Sequence, residues 1–389
     1  MEKNKKIKKD KYRRAYKRIL SLSFILVILM FGGLNIIKPV KTFSSEENRI
    51  LAEKPKFSKD LLMDGRFTKK FEKYFSDQFV FRDFFIGVKS DTERLIGKKD
   101  INGVYIGDDG YLMEKFQKPS KEKMDEIIKS FDTFYGLEKD INKNIAIVPN
   151  AVEILKDKLP KNSTDESQKK YIDNLKNSLV DKFNFIDVYK ELENHKDENI
   201  YYKTDHHWTT EGAYYGYRAI MEGLGCTPKN KEDFSINKVT NDFYGTLYSK
   251  GGFRHLDGDD INVYVPKGNT DVLVNYAEED KKATTFYDLD ALNGKDKYAL
   301  FFGGNHSVVK INTPCENGKK LLIIKDSYAN SLVPFLSQDF SSISMVDLRY
   351  YNGDIYEFIK ENQVDNVLFL YNANTFFQDD SIKNLIPLE

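Results

Sequence analysis

Residues 320–336 read KLLIIKDSYANSLVPFL, and this stretch joins a predicted strand to a predicted helix. The apolar run 321–324 is typical of a buried strand, and the apolar residues of 332–336 indicate a helix. Ser327 lies on the turn between them. Ligands of open α/β folds bind at the carboxyl ends of the strands, and a helix N-terminus offers N–H groups to an anion. Ser327 is therefore a candidate functional residue.

Short apolar runs of the same kind recur along the chain and alternate with helical periodicity. The predicted strands are 103–106, 144–148, 183–188, 320–324, 342–346 and 366–370. This alternation predicts an α/β fold with a mostly parallel sheet. Between about residues 227 and 313, turns and short strands replace the alternation, which predicts a β-rich insertion.

The N-terminus indicates a membrane anchor. Residues 1–18 are rich in Lys and Arg, and an uncharged, mostly apolar run follows over 19–37. Such a run has the length of a helix that crosses a bilayer, and basic residues before it favour a cytoplasmic N-terminus. A cleaved signal peptide is the alternative, but the run is longer than a usual signal sequence and ends without a small-residue cleavage site. We expect a single-pass protein of the cell membrane, with everything after Lys38 outside the cytoplasm.

These features predict four segments: a basic cytoplasmic tail at 1–18, an anchor at 19–37, a linker at 38–61 and a catalytic domain at 62–389 that carries the insertion at about 227–313. Near the start of that domain, aromatic residues recur at spacings of three and four. They are Phe67, Phe71, Tyr74, Phe75, Phe79 and Phe85. Such a stripe predicts helices that pack their aromatic face in a core.

Charge and cysteine content exclude some classes of protein. The chain has 60 basic and 60 acidic residues, so it lacks the basic footprint of a nucleic-acid-binding protein. Cys226 and Cys315 match no metal-site spacing, and whether they form a disulfide is left open.

Residues 204–209 read TDHHWT and bring one acid, two histidines and the single tryptophan together. Thr209 or Thr210 is a predicted N-cap of the helix that follows. In an extended loop, residues two apart point the same way, so Asp205 aligns with His207 and His206 turns to the opposite side. A general base needs a carboxylate to orient its ring, and His207 is therefore the preferred base.

Two other interpretations of this segment exist. Asp205, His206 and His207 are possible metal ligands, but no further ligand stands at a familiar spacing. Alternatively, the polar side chains only order a buried loop. We favour the base, because Ser327 supplies a nucleophile and the pair predicts serine acyl transfer without a metal or cofactor.

TDHHWT followed by KDSYANS, behind an N-terminal apolar segment, resembles the DHHW-type family of SGNH-hydrolase-like proteins, which is similar to the alginate O-acetylation proteins. The resemblance implies a three-layer α/β fold. It also implies Ser327 as nucleophile, His207 as base and Asp205 as orienting acid. The acid and base precede the serine, a permuted order relative to ordinary SGNH hydrolases.

The chain departs from the usual SGNH motifs in two places. Lys325 replaces the glycine of the G-D-S turn, and no G-x-N-D motif identifies an oxyanion-hole asparagine. Asn372 and Asn374 follow a predicted strand and are candidates for that role, and Arg349 is a candidate donor or an ion-pair residue. Further tentative substrate-binding residues are Tyr328, Trp208 and His206.

The resemblance also implies a function. We expect an extracytoplasmic O-acyltransferase, with acetyl the expected group and the hydroxyls of an envelope polysaccharide the expected acceptors. A multi-pass membrane acyltransferase is the implied partner that supplies the acyl group. The alternatives are a carbohydrate O-acetyl esterase of the same fold and a non-catalytic polysaccharide-binding or assembly protein.

Overall fold

The computed structural model describes residues 2–44, 47, 49–163 and 165–387, with side chains from residue 11 onward. They form two compact units, residues 1–92 and 93–389. Compactness alone does not define a catalytic domain, so the start of that domain at residue 62 stays a prediction.

The helices and strands follow in chain order. The helices are α1 Glu2–Ile37, α2 Lys59–Met63, α3 Arg66–Asp77, α4 Arg82–Leu95, α5 Lys121–Leu137, α6 Ala151–Ile154, α7 Gln168–Leu179, α8 Val188–Asn194, α9 Thr210–Gly223, α10 Thr246–Gly251, α11 Tyr328–Leu336, α12 Ile355–Asn362 and α13 Ala373–Gln378. The strands are β1 Phe43–Ser44, β2 Arg49–Ile50, β3 Asp100–Ile101, β4 Val104–Ile106, β5 Leu112–Glu114, β6 Asn142–Val148, β7 Asn184–Phe185, β8 Phe234–Phe243, β9 Asp259–Pro266, β10 Leu273–Tyr276, β11 Lys281–Ala283, β12 Val308–Asn312, β13 Lys320–Lys325, β14 Ser342–Val346 and β15 Asn366–Asn372.

A central sheet of eight strands organises the second unit. Its strand order is β11, β10, β12, β14, β13, β15, β6, β7. The five strands from β14 to β7 are parallel, and β12, β10 and β11 continue the sheet antiparallel at one edge. The predicted α/β fold with a mostly parallel sheet is confirmed.

Strand β13 lies near the middle of this sheet and is covered on both faces. Leu321 and Ile323 pack in one hydrophobic core, and Leu322 and Ile324 pack in another. Helices α9 and α11 contribute to the first core, and α5, α7, α12 and α13 to the second. Because both faces of β13 are buried, its sequence is an unbroken apolar run and does not alternate.

Five of the six predicted strands lie in the central sheet, with bounds that differ by a few residues. The exception is 103–106, which forms β4 in a separate antiparallel sheet with β3 and β5. Within 227–313, β8 and β9 form an antiparallel pair, whereas β10, β11 and β12 extend the central sheet. Part of the predicted insertion is thus continuous with the main fold. Cys226 and Cys315 are free thiols.

Helix α1 is the longest helix described in the first unit. Its 27 residues Lys11–Ile37 are long and apolar enough to cross a membrane, by length and composition. This segment includes the predicted anchor at 19–37. Retention of the segment and the orientation of the chain in the membrane stay predictions.

The aromatic stripe of α3 and α4 lies in a different environment from the predicted one. The exposed fraction is 43% for Phe71, 49% for Phe75 and 43% for Phe85. The expectation that this face packs in a core is wrong for these residues. Helical spacing identifies a common face, but it does not say what covers that face.

Candidate active site

The TDHHWT segment forms a tight loop in front of helix α9. Tyr201 and Trp208 form an isolated antiparallel bridge, which brings the two ends of the loop together. The Thr209 side chain accepts a hydrogen bond from the N–H of Gly212 at 3.2 Å and so caps α9. Between them the chain bends instead of running extended. The loop therefore presents its side chains in directions that strand geometry does not predict.

Asp205 and His207 are hydrogen-bonded to each other at the centre of this loop. Asp205 Oδ1 lies 2.6 Å from His207 Nδ1 and accepts the backbone N–H of His207 at 3.0 Å. The other oxygen, Oδ2, accepts hydrogen bonds from the N–H and the hydroxyl of Thr246, at 2.7 and 2.9 Å. Both oxygens of the carboxylate are thus held, and the ring of His207 has a fixed orientation.

Gly245 allows this close approach. A Cβ atom at position 245 would lie 2.2 Å from Asp205 Cβ and 2.4 Å from its Oδ2. Any side chain there would displace the carboxylate from His207. Asp259 holds the start of the loop, because its carboxylate accepts hydrogen bonds from the N–H groups of Lys203 and Thr204, each at 2.8 Å.

Ser327 lies at the end of strand β13 and contacts His207. Its Oγ lies 2.7 Å from His207 Nε2. Ser327 is the residue before helix α11, at the carboxyl edge of the parallel strands, as the sequence predicts. The structure therefore brings Asp205, His207 and Ser327 into one hydrogen-bonded row, although 120 residues separate the histidine from the serine.

The electrostatics of the row favour a neutral ring and a charged carboxylate. Burial lowers the pKa of His207 to about 4, and the neighbouring His206 adds to the effect. Burial alone would raise the pKa of Asp205, but the charges of His206 and His207 outweigh it and hold that pKa well below its usual range. A neutral imidazole beside a serine hydroxyl can accept its proton.

His206 lies beside His207, and not on the opposite side as the sequence analysis expected. The two ring centroids are 3.9 Å apart, and His206 Nδ1 lies 2.7 Å from the hydroxyl of Thr246. Burial lowers the pKa of His206, but the charge of Asp205 outweighs burial and the net shift is upward. Its side chain is 26% exposed.

Asp205, His206 and His207 offer ligand atoms within 4.8 Å of one another, which a metal ion also requires. However, the two nitrogens of His207 already face Asp205 and Ser327. This donor set fits a hydrogen-bonded relay better than a metal centre, because an ion would need the same nitrogens.

Tyr298 also belongs to the site, although no pattern in its local sequence points to that role. Its ring stacks on His207 with centroids 3.7 Å apart and an interplanar angle of 10°. Its hydroxyl donates to the carbonyl of Ser327 and lies 3.1 Å from the hydroxyl of Ser331. Tyr298 thus contacts both His207 and the turn that carries Ser327.

The residues on either side of Ser327 are fixed by buried polar contacts. Asp326 accepts the N–H of Tyr328 at 2.9 Å, and the N–H and side-chain amide of Asn372 at 2.8 and 2.6 Å. Burial raises the pKa of Asp326 to about 6. The second amide hydrogen of Asn372 is donated to Thr375. Asn374 donates its N–H to the side-chain oxygen of Asn150.

Lys325 is fully buried where SGNH proteins have a glycine. Its ammonium contacts the side-chain oxygens of Asn330 and Asn305 and lies 3.8 Å from the carboxylate of Asp347. Arg349 binds the same carboxylate in a bidentate way, at 2.8 and 2.5 Å. Burial lowers the pKa of Lys325 to about 8. These charges tie the ends of β13 and β14 together.

Trp208 and Tyr328 are fully buried, whereas the sequence analysis grouped them with substrate-binding residues. Trp208 donates its ring N–H to the carbonyl of Tyr328 at 3.1 Å and to Ser331 at 3.0 Å. The hydroxyl of Tyr328 donates to the carbonyl of His206. Both side chains join the TDHHWT loop to helix α11, and of the tentative residues only His206, Arg349 and Asn374 are partly exposed.

A mostly parallel sheet with serine, histidine and aspartate at its carboxyl edge defines an α/β protein of the SGNH-hydrolase-like class. Within that class, the family described as DHHW protein matches residues 99–346. The chain belongs to the DHHW family, and the predicted resemblance is confirmed. No match was found among curated proteins.

The chain is also similar to solved structures. A DHHW family protein from Eubacterium siraeum DSM 15702 is 26% identical, with a TM-score of 0.63 over 73% of this chain and 95% of that one. Bacillus cereus PatB1, solved with a sulfonyl adduct, is 24% identical, with a TM-score of 0.60 over 73% and 99%. The O-acetyltransferase domain of Pseudomonas putida AlgJ aligns at 14% identity and a TM-score of 0.44, over 71% and 93%.

Proposed function

We propose that the chain is an O-acyltransferase that forms an acyl-enzyme on Ser327 and passes the acyl group, most readily acetyl, to a hydroxyl of a cell-envelope polysaccharide. One observation carries the proposal. His207 lies at hydrogen-bond distance from Ser327 Oγ through Nε2, at 2.7 Å, and from Asp205 Oδ1 through Nδ1, at 2.6 Å. This is the arrangement that activates a serine hydroxyl.

In the first step, Ser327 Oγ attacks the carbonyl carbon of the acyl donor and its proton moves to His207 Nε2. The bond between the carbonyl carbon and the leaving group then breaks, and the leaving group takes the proton from His207. Asp205 stays ionised and stabilises the imidazolium while it exists, in line with its lowered pKa. The product of this step is an ester on Ser327.

In the second step, a sugar hydroxyl attacks the ester on Ser327 while His207 takes its proton. Collapse of the tetrahedral intermediate returns that proton to Ser327 Oγ and releases the acylated sugar. The acyl-enzyme thus divides one transfer into two easier steps. If water enters in place of the sugar, the same residues hydrolyse the ester.

The negative oxygen of each intermediate needs hydrogen-bond donors. We assign this role to the backbone N–H of Ser327, because the residue stands at the N-terminus of helix α11. Asn372 and Asn374 stay candidates. The side chain of Asn372 would first have to release Asp326 or Thr375, to which its amide hydrogens are donated.

The N-terminal segment supports a proposal for the location of the site. We propose that α1 anchors the protein in the cell membrane with the catalytic residues outside the cytoplasm, because the basic residues of 1–18 precede the apolar helix. The acyl group has to reach that side of the membrane. A multi-pass membrane acyltransferase is therefore the proposed source.

The test compares transfer with hydrolysis in the full-length protein, solubilised in detergent. An aryl acetate serves as donor, with and without an acetyl-free envelope oligosaccharide, and the acylated sugar is quantified by mass spectrometry. We expect sugar ester with the wild type and with Ser178→Ala, whose serine is exposed on α7, and none with Ser327→Ala.

Release of acetate alone, with no sugar ester from any acceptor tried, would contradict transfer and identify an esterase. Turnover that survives Ser327→Ala would contradict the whole proposal. Oligosaccharide binding by a protein with no turnover of the donor would identify the non-catalytic alternative.

A further inference from the structure

We propose that the first unit has a second contact with the membrane besides helix α1. The aromatic face of α3 and α4, formed by Phe67, Phe71, Phe75, Phe84 and Phe85, lies among the lipid headgroups of the leaflet in which α1 ends. The proposal concerns lipid contact and does not depend on the proposed enzymatic activity.

The first observation is a row of rings on one side of α3, in which Phe71 and Phe75 are exposed and Phe67 is half-buried. Phe67, Phe71 and Phe75 are four residues apart and share one face of the helix. The rings of Phe67 and Phe71 stack at 6.0 Å. Large apolar surfaces of this kind on a folded chain mark a contact with a membrane or with another protein.

The second observation favours a membrane over another protein, because the row of rings continues to α1. Phe75 packs against Phe79, and Phe79 stacks on Phe31 of α1 with centroids 5.9 Å apart. Phe85 also contacts Phe31, at 6.1 Å. Phe31 lies six residues before Ile37, or about 9 Å along the helix axis. The rings therefore meet α1 inside its apolar segment, at the depth to which interfacial helices insert.

Polar contacts fix this arrangement. The side-chain oxygen of Asn35, in the last turn of α1, accepts the N–H of Val80 at 2.9 Å. The side-chain amide of Gln78 exchanges two hydrogen bonds with the backbone of Lys41, at 3.1 and 2.7 Å. The turn between α3 and α4 is thereby held against the end of α1. When α1 spans a bilayer, the aromatic face is brought to its surface.

The charges of α3 fit the same contact. The helix carries Arg66, Lys69, Lys70 and Lys73, all exposed. Long cationic side chains can keep their charge near lipid phosphates while the opposite face of the helix enters the apolar boundary. An amphipathic helix rich in aromatic residues and lysine is the usual form of an interfacial segment.

The test uses the full-length chain, reconstituted alone into nanodiscs whose lipids carry bromine on the acyl chains near the glycerol. Bromine quenches tryptophan fluorescence at short range. Phe71→Trp places the reporter on the aromatic face, and Lys69→Trp places a matched reporter on the opposite side of the same helix. The single native tryptophan, Trp208, is fully buried, and its signal is subtracted using the wild type.

We expect the Phe71→Trp reporter to lose most of its emission in brominated discs and to shift to shorter wavelength, while the Lys69→Trp reporter changes little. Equal emission of both reporters with and without bromine would overturn the proposal. Because only the lipids carry bromine, quenching reports contact with lipid and not with a protein. Turnover of a soluble aryl acetate by each variant shows that the catalytic fold is intact, so a failure here is distinct from a failure of the proposed function.

Discussion

The phenylalanine rings beside the central sheet, in residues 93–389, and those on α3, in residues 1–92, lie in different environments. Phe131, Phe134, Phe183 and Phe369 contact one another edge to face, and each is almost fully buried beside the central sheet. The rings of Phe71 and Phe75 follow an equally regular spacing, but about half of each is exposed. The same residue type thus builds a core in one unit and a surface in the other.

Buried charges occur in both units, and Asp77 is one in the first unit. Several of those in the second unit lie at or beside the candidate active site. The second unit buries Asp205, Asp326, Asp347 and Lys325, and each has hydrogen-bond or ion-pair partners. The lysines of α3 are exposed. A buried charge costs free energy unless it is paired, so it is kept where it orients a reacting group or its support. The second unit thus carries the candidate catalytic residues, and the first unit carries the exposed aromatic and cationic side chains of α3.

Asp205→Asn should have the largest effect on activity, and it tests the proposed catalytic role of the second unit. The change leaves the shape of the site intact but removes the charge that fixes the tautomer of His207, and kcat should fall by about 10⁴. The measurement is turnover of an aryl acetate by full-length protein. Phe71→Ser, in the first unit, is the control and should keep wild-type turnover. A loss below tenfold in Asp205→Asn would show that the carboxylate only orders the loop.

Substitutions that remove one member of the buried ion pairs beside the site should have a smaller effect, and they act on the free energy of unfolding. Asp347→Asn leaves both Lys325 and Arg349 without their shared carboxylate, and the free energy of unfolding should fall by about 3–5 kcal/mol. Lys325→Met leaves Asp347 paired with Arg349, so the loss should be about 1–2 kcal/mol. Denaturation followed by the fluorescence of Trp208 measures both. Equal losses of stability in the two variants, or the reverse order, would contradict this account of Lys325, Asp347 and Arg349.

The smallest expected effect is a shift in pH dependence. His207 must be neutral to accept a proton, and its pKa is about 4, so activity should fall as the pH drops through that value. The charge of His206 contributes to this low pKa. His206→Asn should therefore move the acidic limb of kcat/KM to higher pH, by about one unit. A limb that stays in place or moves to lower pH would show that His206 does not act on the base.

Local patterns were sufficient to predict the parts of the fold and site that depend on neighbouring residues. The apolar run of β13 and the turn at Ser327 are encoded in adjacent positions. The pairing of Asp205 with His207 was also predicted, but from an extended chain, whereas the loop bends. The parallel order of the sheet follows from the alternation of strands and helices.

The remaining contacts join residues that are far apart in the sequence, so local patterns could not predict them. Tyr298, Thr246 and Asp259 all come from 227–313, and nothing in their local sequence points to residues 205–207. The position of His206 was misjudged because the loop bends, and alternation applies only to extended chain. Helical periodicity placed Phe71 on an aromatic face, but it does not reveal whether another element covers that face.

The central claim is that Ser327 is a nucleophile activated by His207, and covalent trapping tests it most directly. Full-length protein is treated with a serine-directed fluorophosphonate, and the site of modification is mapped by peptide mass spectrometry. We predict one adduct on Ser327 in the wild type, and its loss in His207→Ala, a variant whose Trp208 fluorescence reports a retained fold. A folded wild-type protein that leaves Ser327 unmodified, or labelling that persists without His207, would contradict the claim.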